Sequence, residues 1–302
     1  MRIPDFGQGL DHALALTRAH LCQVLDEAVR ARPGIDTSFG CEVVWAGRDG
    51  SVERRDAAGG TTRIDADLVV GADGIGSVVR SSGDFAARRS RTASLAIRAL
   101  VVGEPFSQPQ EAWGRGGIVI AAPVGDGQAY LALSACRGRL KAAMTGRDLA
   151  ALGRYGDRLL PGVAVALRGV QSFDDLIVTP IETVACRRWV DGRMVLLGDA
   201  AHVMTPHLGQ GANSALLDAY ALAEELAGGR ACQQALAAYA ARRRRKVARI
   251  QRLSRLYGIF SERLGGAAVG PPAAAERFLA FVQQEHPASI YRGVRQLVCG
   301  WR

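Results

Sequence analysis

The chemistry of this sequence concentrates in one stretch, GDAAHVMTPHLGQGAN at positions 198–213, directly after the apolar run MVLL. Val195 to Leu197 read as a buried strand that delivers Gly198 and Asp199 at its carboxyl end, the edge where ligands sit in open α/β sheets. Gly209, Gln210, Gly211, Ala212 and Asn213 then open a helix without bulky side chains. Their backbone N–H groups can approach an electron-rich ligand closely, helped by the positive end of the helix dipole. Asp199 would repel a phosphate there, so it suits ligand hydroxyls, from which it can only accept. A polyhydroxylated ligand with negative charge farther along satisfies both demands. His202 and His207 are five apart with no third ligand nearby, unlike the i, i+4 pair of a helical zinc site, so no metal is expected. Ser77 and Ser214 lack a G-x-S-x-G context, which argues against a hydrolase.

Two further segments carry recognisable spacing. DLVVGADGIGSVVR at 67–80 is an apolar run turned into a helix through Asp73, Gly74, Ser77 and Arg80, and TRAHLCQVL at 17–25 starts a helix with Arg18. An arginine at a helix start is mildly disfavoured by the dipole, which makes a bound phosphate a sensible partner for it. Together with 198–213 these segments resemble the FAD-dependent aromatic hydroxylases, the class A flavoprotein monooxygenases, over about residues 13–260. The resemblance implies that Asp199 binds the ribityl chain of FAD and that Pro206 packs near the isoalloxazine ring. It also implies that the 209–213 backbone faces the pyrimidine edge, that Arg18 contacts the pyrophosphate, and that Asp73, Gly74 and Arg80 support FAD and the pyridine nucleotide. Read from its residue type alone, Arg80 is more often structural than ligand-binding. AIRALV at 96–101 resembles the strand that begins the family's substrate sheet, where Arg98 is either functional or structural.

The elements that must position these residues are legible in outline. TRAHLCQVLDEAVRARPG aligns Leu21, Val24, Leu25, Ala28 and Val29 on one helical face before Pro33-Gly34. Short strands follow, with turns at Asp49-Gly50 and Gly59-Gly60. ADLVV reads as a strand covered on both faces of a parallel sheet. SLAIRALVV, GGIVIAAPV, QAYLALSAC and DLIVTPIETV look like strands of an inserted, mostly antiparallel sheet, with a helical stretch at about 146–167. A helix from Gly209 stops at Gly228-Gly229. The next helix carries Val247, Ile250, Leu253, Tyr257 and Phe260 on one stripe, with arginines on a solvated basic side. Further helices fill the C-terminus, broken at Gly270-Pro271-Pro272.

The expected class is α+β: an α/β FAD-binding portion with a parallel sheet, plus the inserted antiparallel sheet, in a p-hydroxybenzoate-hydroxylase-like fold that is incomplete at its N-terminus. The expected division is 1–90 for the FAD-binding portion without its first βαβ unit, and 91–180 for the substrate-binding sheet. Residues 181–235 return to the FAD-binding portion, and 236–302 are C-terminal helices.

Composition sets the limits. The chain has 302 residues, 48% hydrophobic and 22% charged, enough for a substantial core. No apolar run approaches the roughly 18 residues of a membrane span, and the N-terminus lacks the pattern of a signal peptide. The net charge of +9 is densest in RRRRK at 242–246. It reads as a solvated face or attraction for an anionic cofactor or substrate, not as a nucleic-acid surface. Six cysteines, with no C-x-x-C pair, read as reduced and mostly buried thiols, and hence a cytoplasmic protein.

The resemblance implies a monooxygenase that uses FAD, NAD(P)H and O₂ to hydroxylate an aromatic or similarly electron-rich small molecule through a flavin C4a-hydroperoxide. The family's opening strand, G-x-G-x-x-G and helix do not precede Arg18. The expectation is an amino-terminally truncated form of a longer enzyme, or else a natural variant that lost tight FAD binding. A flavin-deficient relative acting as a non-redox binding or helper protein, and a flavin epoxidase or reductase, stay open as alternatives.

Overall fold

A computed structural model describes residues 17–103, 106–114, 117–264 and 268–269, with side chains as far as Ile259. In chain order the elements begin with α1 (Arg18–Arg30), β1 (Glu42–Ala46), β2 (Ser51–Arg55), β3 (Thr61–Asp65), β4 (Val69–Gly71) and α2 (Val78–Ser82). Then come β5 (Ala87–Val102), β6 (Gln110–Gly114), β7 (Gly117–Gly125), β8 (Gln128–Ala135), α3 (Gly138–Thr145), α4 (Leu149–Asp157) and α5 (Val163–Ala166). The chain continues with β9 (Ile177–Cys186), β10 (Val190–Asp191), β11 (Met194–Leu196), α6 (Gly211–Ala227), α7 (Cys232–Leu264) and β12 (Ala268–Val269). The class is α+β. The C-terminal break anticipated at Gly270-Pro271-Pro272 lies outside the described residues.

The described residues divide into two units: one within 17–36, 92–181 and 257–269, the other within 37–91 and 182–256. The first unit is built on a mostly antiparallel sheet of order β12-β6-β7-β8-β5-β9. The two-residue period of its strands puts Ala129, Leu131, Leu133 and Ala135 of β8 on one face, where β5 adds Ile97, Ala99 and Val101. That face packs with Leu140, Ala143, Met144, Leu152 and Val163 of the helices into one core. The helical stretch expected at 146–167 is in fact broken. Arg147 takes φ +55° and Asp148 caps α4 by accepting from the Ala151 N–H at 2.8 Å, while Pro161 and left-handed Gly162 separate α4 from α5. α3, which precedes this stretch, is an addition to the sequence reading.

In the second unit β1, β2 and β3 form an antiparallel sheet with its turns at the expected glycines. A smaller sheet has the order β10-β11-β4, with β4 and β11 parallel. The expectation that ADLVV is covered on both faces is not met. β4 is three residues long, lies at the edge of its sheet among the described residues, and leaves Val70 41% exposed. The α1 stripe likewise forms a helix, capped by Thr17 Oγ1 at 3.2 Å from the His20 N–H, yet buries none of its residues. The thiols also depart from expectation: among the described residues Cys22, Cys41 and Cys232 are exposed and only Cys186 is buried. Among the described residues no helix is long and apolar enough to cross a membrane.

Candidate functional site

The parallel pair β4 and β11 fixes the site. Their register sets Val69 beside Met194 and Gly71 beside Leu196, and the ladder continues with the Leu197 N–H donating to the Gly71 carbonyl at 3.1 Å. Both chains therefore leave the sheet at the same carboxyl edge, one through Asp73 and Gly74, the other through Gly198 and Asp199. Arg80 ties the two exits together, giving Nη1 to the Ala200 carbonyl at 2.8 Å and Nη2 to the Ile75 carbonyl at 2.5 Å. Asp73 is engaged in capping, its Oδ2 accepting from the Val78 and Val79 N–H groups at 2.7 and 3.2 Å. Asp73 and Arg80 thus shape the turn through these bonds, and Gly74 makes the corner at φ +78°.

Asp199 stands differently. It is exposed, and its carboxylate makes no hydrogen bond or ion pair among the described residues. It sits in a single 3-10 turn, Gly198–Ala200, that starts from Gly198 at φ +57°. A side chain at 198 would meet the Ala215 Cβ at 3.0 Å besides straining the backbone, so glycine is required twice over. Pro206 is exposed at the head of a second short turn ended by left-handed Gly209. Gln210 precedes α6 without a side-chain cap, and no acid occupies its first turn. Around Gly209 and Gly211 there is open space for 4 Å from where a Cβ would stand. Gly211, Ala212 and Asn213 thus open a 17-residue helix with their N–H groups uncapped by any side chain, the arrangement that attracts electron-rich atoms.

Sequence reasoning missed what holds this loop. Asp218 of α6 is fully buried, and its Oδ2 accepts from the Gly198 N–H at 3.1 Å and from His202 Nε2 at 2.5 Å. Its Oδ1 accepts from Arg243 Nε of α7 at 2.7 Å, and Arg243 also gives Nη2 to the Ser214 carbonyl at 3.3 Å. His202 is 2% exposed and stacks on Trp189 at 5.0 Å between centroids, 25° between planes. Elsewhere on α7, Tyr239 donates to the Leu196 carbonyl at 3.1 Å, Gln251 to those of Val184 and Val203 at 2.7 and 3.0 Å, and Ser254 to that of Thr205 at 2.6 Å. One helix thus splints the loop directly at three places, Leu196, Val203 and Thr205. The signal was present in the sequence: Asp218 falls with Ser214, Ala221 and Leu222 on the buried stripe of α6, where a lone acid needs a partner.

α7 also corrects the expected basic side. Val247, Ile250 and Tyr257 are buried as the stripe requires, but Arg243 lies inside with them at 6% exposure, and Arg242 is paired with Glu224 and Glu225. Phe260 lies beyond the described side chains. Arg18 falls in the first unit, exposed at the start of α1, and Arg98 there donates to Thr179 Oγ1 at 3.0 Å. The structure brings Asp73, Gly74, Arg80 and the residues of 198–213 together in the second unit, and it does not bring Arg18 into that unit.

The profile of the FAD binding domain family matches residues 7–254. The chain is 34% identical over 198 residues to a 2-heptyl-3-hydroxy-4(1H)-quinolone synthase of Mycobacteroides abscessus, covering 63% of this chain and 50% of that protein. It is 32% identical over 198 residues to a FAD-dependent urate hydroxylase of Mycolicibacterium vanbaalenii, covering 62% and 49%. Among solved structures it resembles tetrameric 2-methyl-3-hydroxypyridine-5-carboxylic acid oxygenase with a TM-score of 0.69 and 30% identity, over 80% of this chain and 66% of that one. The chain spans about half the length of the curated relatives it matches. The chain belongs to the FAD binding domain family.

Proposed function

We propose that this chain carries the flavin-facing part of a FAD- and NAD(P)H-dependent monooxygenase that hydroxylates an aromatic or similarly electron-rich small molecule with O₂. The observation that carries the reading is the unpartnered, exposed Asp199 beside the uncapped start of α6, both at the carboxyl edge of parallel strands. These groups fit the ribityl and isoalloxazine portions of FAD. The carboxylate of Asp199 accepts from ligand hydroxyls, Pro206 and Gly209 offer an apolar edge without bulk, and Gly211 to Asn213 present N–H groups. Bound FAD, reduced by NAD(P)H, supplies oxygen activation and delivery of one oxygen atom to the ring.

The protein's share is binding and orientation. The dipole at the start of α6, equivalent to about half a positive charge, favours electron density placed against it by about 0.3–1 kcal/mol, and up to about 2 when partly buried. Arg80 and the Asp218 network hold the two turns in register, so the groups need not reorganise on binding. We assign the antiparallel sheet at 91–180 to the substrate and residues 1–90 and 181–235 to the cofactor. The free cysteines accord with a reducing, cytoplasmic setting. The test supplies the chain with FAD, NADPH or NADH and a panel of hydroxylated aromatic acids under ¹⁸O₂. One ¹⁸O atom per product molecule is expected. Flavin binding without any oxygenated product in the panel counts against a monooxygenase and for a helper role.

A further inference from the structure

The residues just after Asp199 adjoin a second feature. A surface cleft of about 590 Å³ in the second unit has Cys186, Trp189 and His202 as its buried floor and Arg88, Arg187 and Arg244 as its exposed rim, with alanines between. No acidic residue lines it. Each rim arginine adjoins in sequence an arginine that does own a carboxylate: Arg89 pairs with Glu182 at 2.5 Å, Arg188 with Asp84, and Arg243 with Asp218 at 2.7 Å. The rim arginines are otherwise. Among the described residues, Arg88 and Arg187 make no side-chain hydrogen bond or ion pair. Arg244 gives Nη1 to the Arg187 carbonyl at 2.9 Å, which steadies it and leaves its charge uncompensated. Neutralisation therefore follows position: the arginines beside the cleft are paired, and the three that line it are not.

Like charges gathered over an apolar floor focus a positive potential into the cleft. Their mutual repulsion is relieved by an anion, and a guanidinium fork matches the planar oxygens of a carboxylate or the oxygens of a phosphate. The alanine walls and the Trp189 floor fit an apolar body and offer it few polar partners. None of Asp199, Gly209 or Gly211 lines the cleft. We propose that this cleft is a binding site for a small organic anion, a carboxylate or phosphate borne on an apolar body, separate from the flavin-facing groups. The floor adds no competing negative charge, because burial pushes the Cys186 thiol up to about 11 and keeps it protonated. Ala201 and His202 both line the cleft and lie within three residues of Asp199, so an occupant touches the turn that presents Asp199.

The experiment titrates the full chain with benzoate, phenyl phosphate, inorganic phosphate and neutral benzamide. Trp189 emission and calorimetry are followed, with Trp189→Phe identifying the signal. Saturable binding of benzoate or phenyl phosphate is expected, at least about tenfold tighter than benzamide, and the comparison of the two heads separates a carboxylate site from a phosphate site. Arg88→Gln and Arg187→Gln should each weaken it about five- to tenfold, the lower figure reflecting solvent screening. Both side chains are exposed and unbound, so neither change threatens the fold. Benzamide binding as well as benzoate, binding that persists unchanged in both arginine variants, or no saturable response to any anion overturns the proposal.

Discussion

Replacing Asp218 with leucine tests the anchoring of the turn most directly. Asp218 is fully buried and receives the Gly198 N–H, His202 Nε2 and Arg243 Nε. Asp218→Leu leaves the Arg243 guanidinium, itself 6% exposed, with the Ser214 carbonyl as its remaining described acceptor. Stranding one member of a buried ion pair costs about 3–5 kcal/mol. The reciprocal Arg243→Met leaves Asp218 two donors, so its cost falls near the lower end of that range. The double variant removes both charges at once and should cost less than the sum of the singles by at least about 2 kcal/mol. Urea unfolding followed at Trp189, which stacks on His202, reads the second unit's own transition. Flavin affinity should fall in Asp218→Leu as well, because the Gly198 amide loses the acceptor that sets the angle of Asp199. Single-variant costs that add within about 0.5 kcal/mol, or an Asp218→Leu protein within about 1 kcal/mol of the parent, would refute the network.

Asp199→Ala should leave stability unchanged, since its carboxylate is exposed and contacts nothing described, while weakening FAD by about 1.5–3 kcal/mol when affinity is measured by fluorescence quenching. Unaltered affinity removes Asp199 from the site. Gly71→Val places a Cβ at 2.7 Å from Leu196 Cδ2 and 2.9 Å from Val79 Cβ, between β4, β11 and α2, and should destabilise the second unit by about 1–3 kcal/mol on denaturation. The Cys186 thiol, raised by burial to about 11 against an ordinary 9.0, keeps its proton in the folded protein where the unfolded chain has lost it. Stability should therefore fall between about pH 9 and pH 11 in the wild type and stay flatter in Cys186→Ala, as seen in melting temperature against pH.

What the sequence disclosed was local. Gly198-Asp199 and the small residues at 209–213 were legible as a turn and an unobstructed helix start because each needs a particular residue type. The hairpin turns at Asp49-Gly50 and Gly59-Gly60 were legible for the same reason, and so was the end of α6 before Gly228. The partnership of Asp218 with Arg243 was not, because it joins two helices 25 residues apart and depends on how they pack. Nor could apolar patterning say that Val70 and the α1 stripe stay uncovered, since a hydrophobic face shows only that burial is favourable and not what supplies it. The break between α4 and α5 is legible at Pro161-Gly162, two residues that oppose a continuous helical period.

The splinting of the 196–205 segment by α7 has a consequence in time. Leu196, Val203 and Thr205 give their carbonyls to side chains that emerge 43, 48 and 49 residues later. As the chain leaves the ribosome, β4, β11 and the turn that bears Asp199, with the Arg80 tie between them, are all present before α7 exists to splint them. The segment cannot settle until Ser254 has been made, so this part of the protein is completed late in synthesis, when α7 closes over a loop that has been waiting. Cleavage between residues 218 and 239 would leave a chain with every residue of the turn, tied by Arg80 and Asp218 but without the α7 splint.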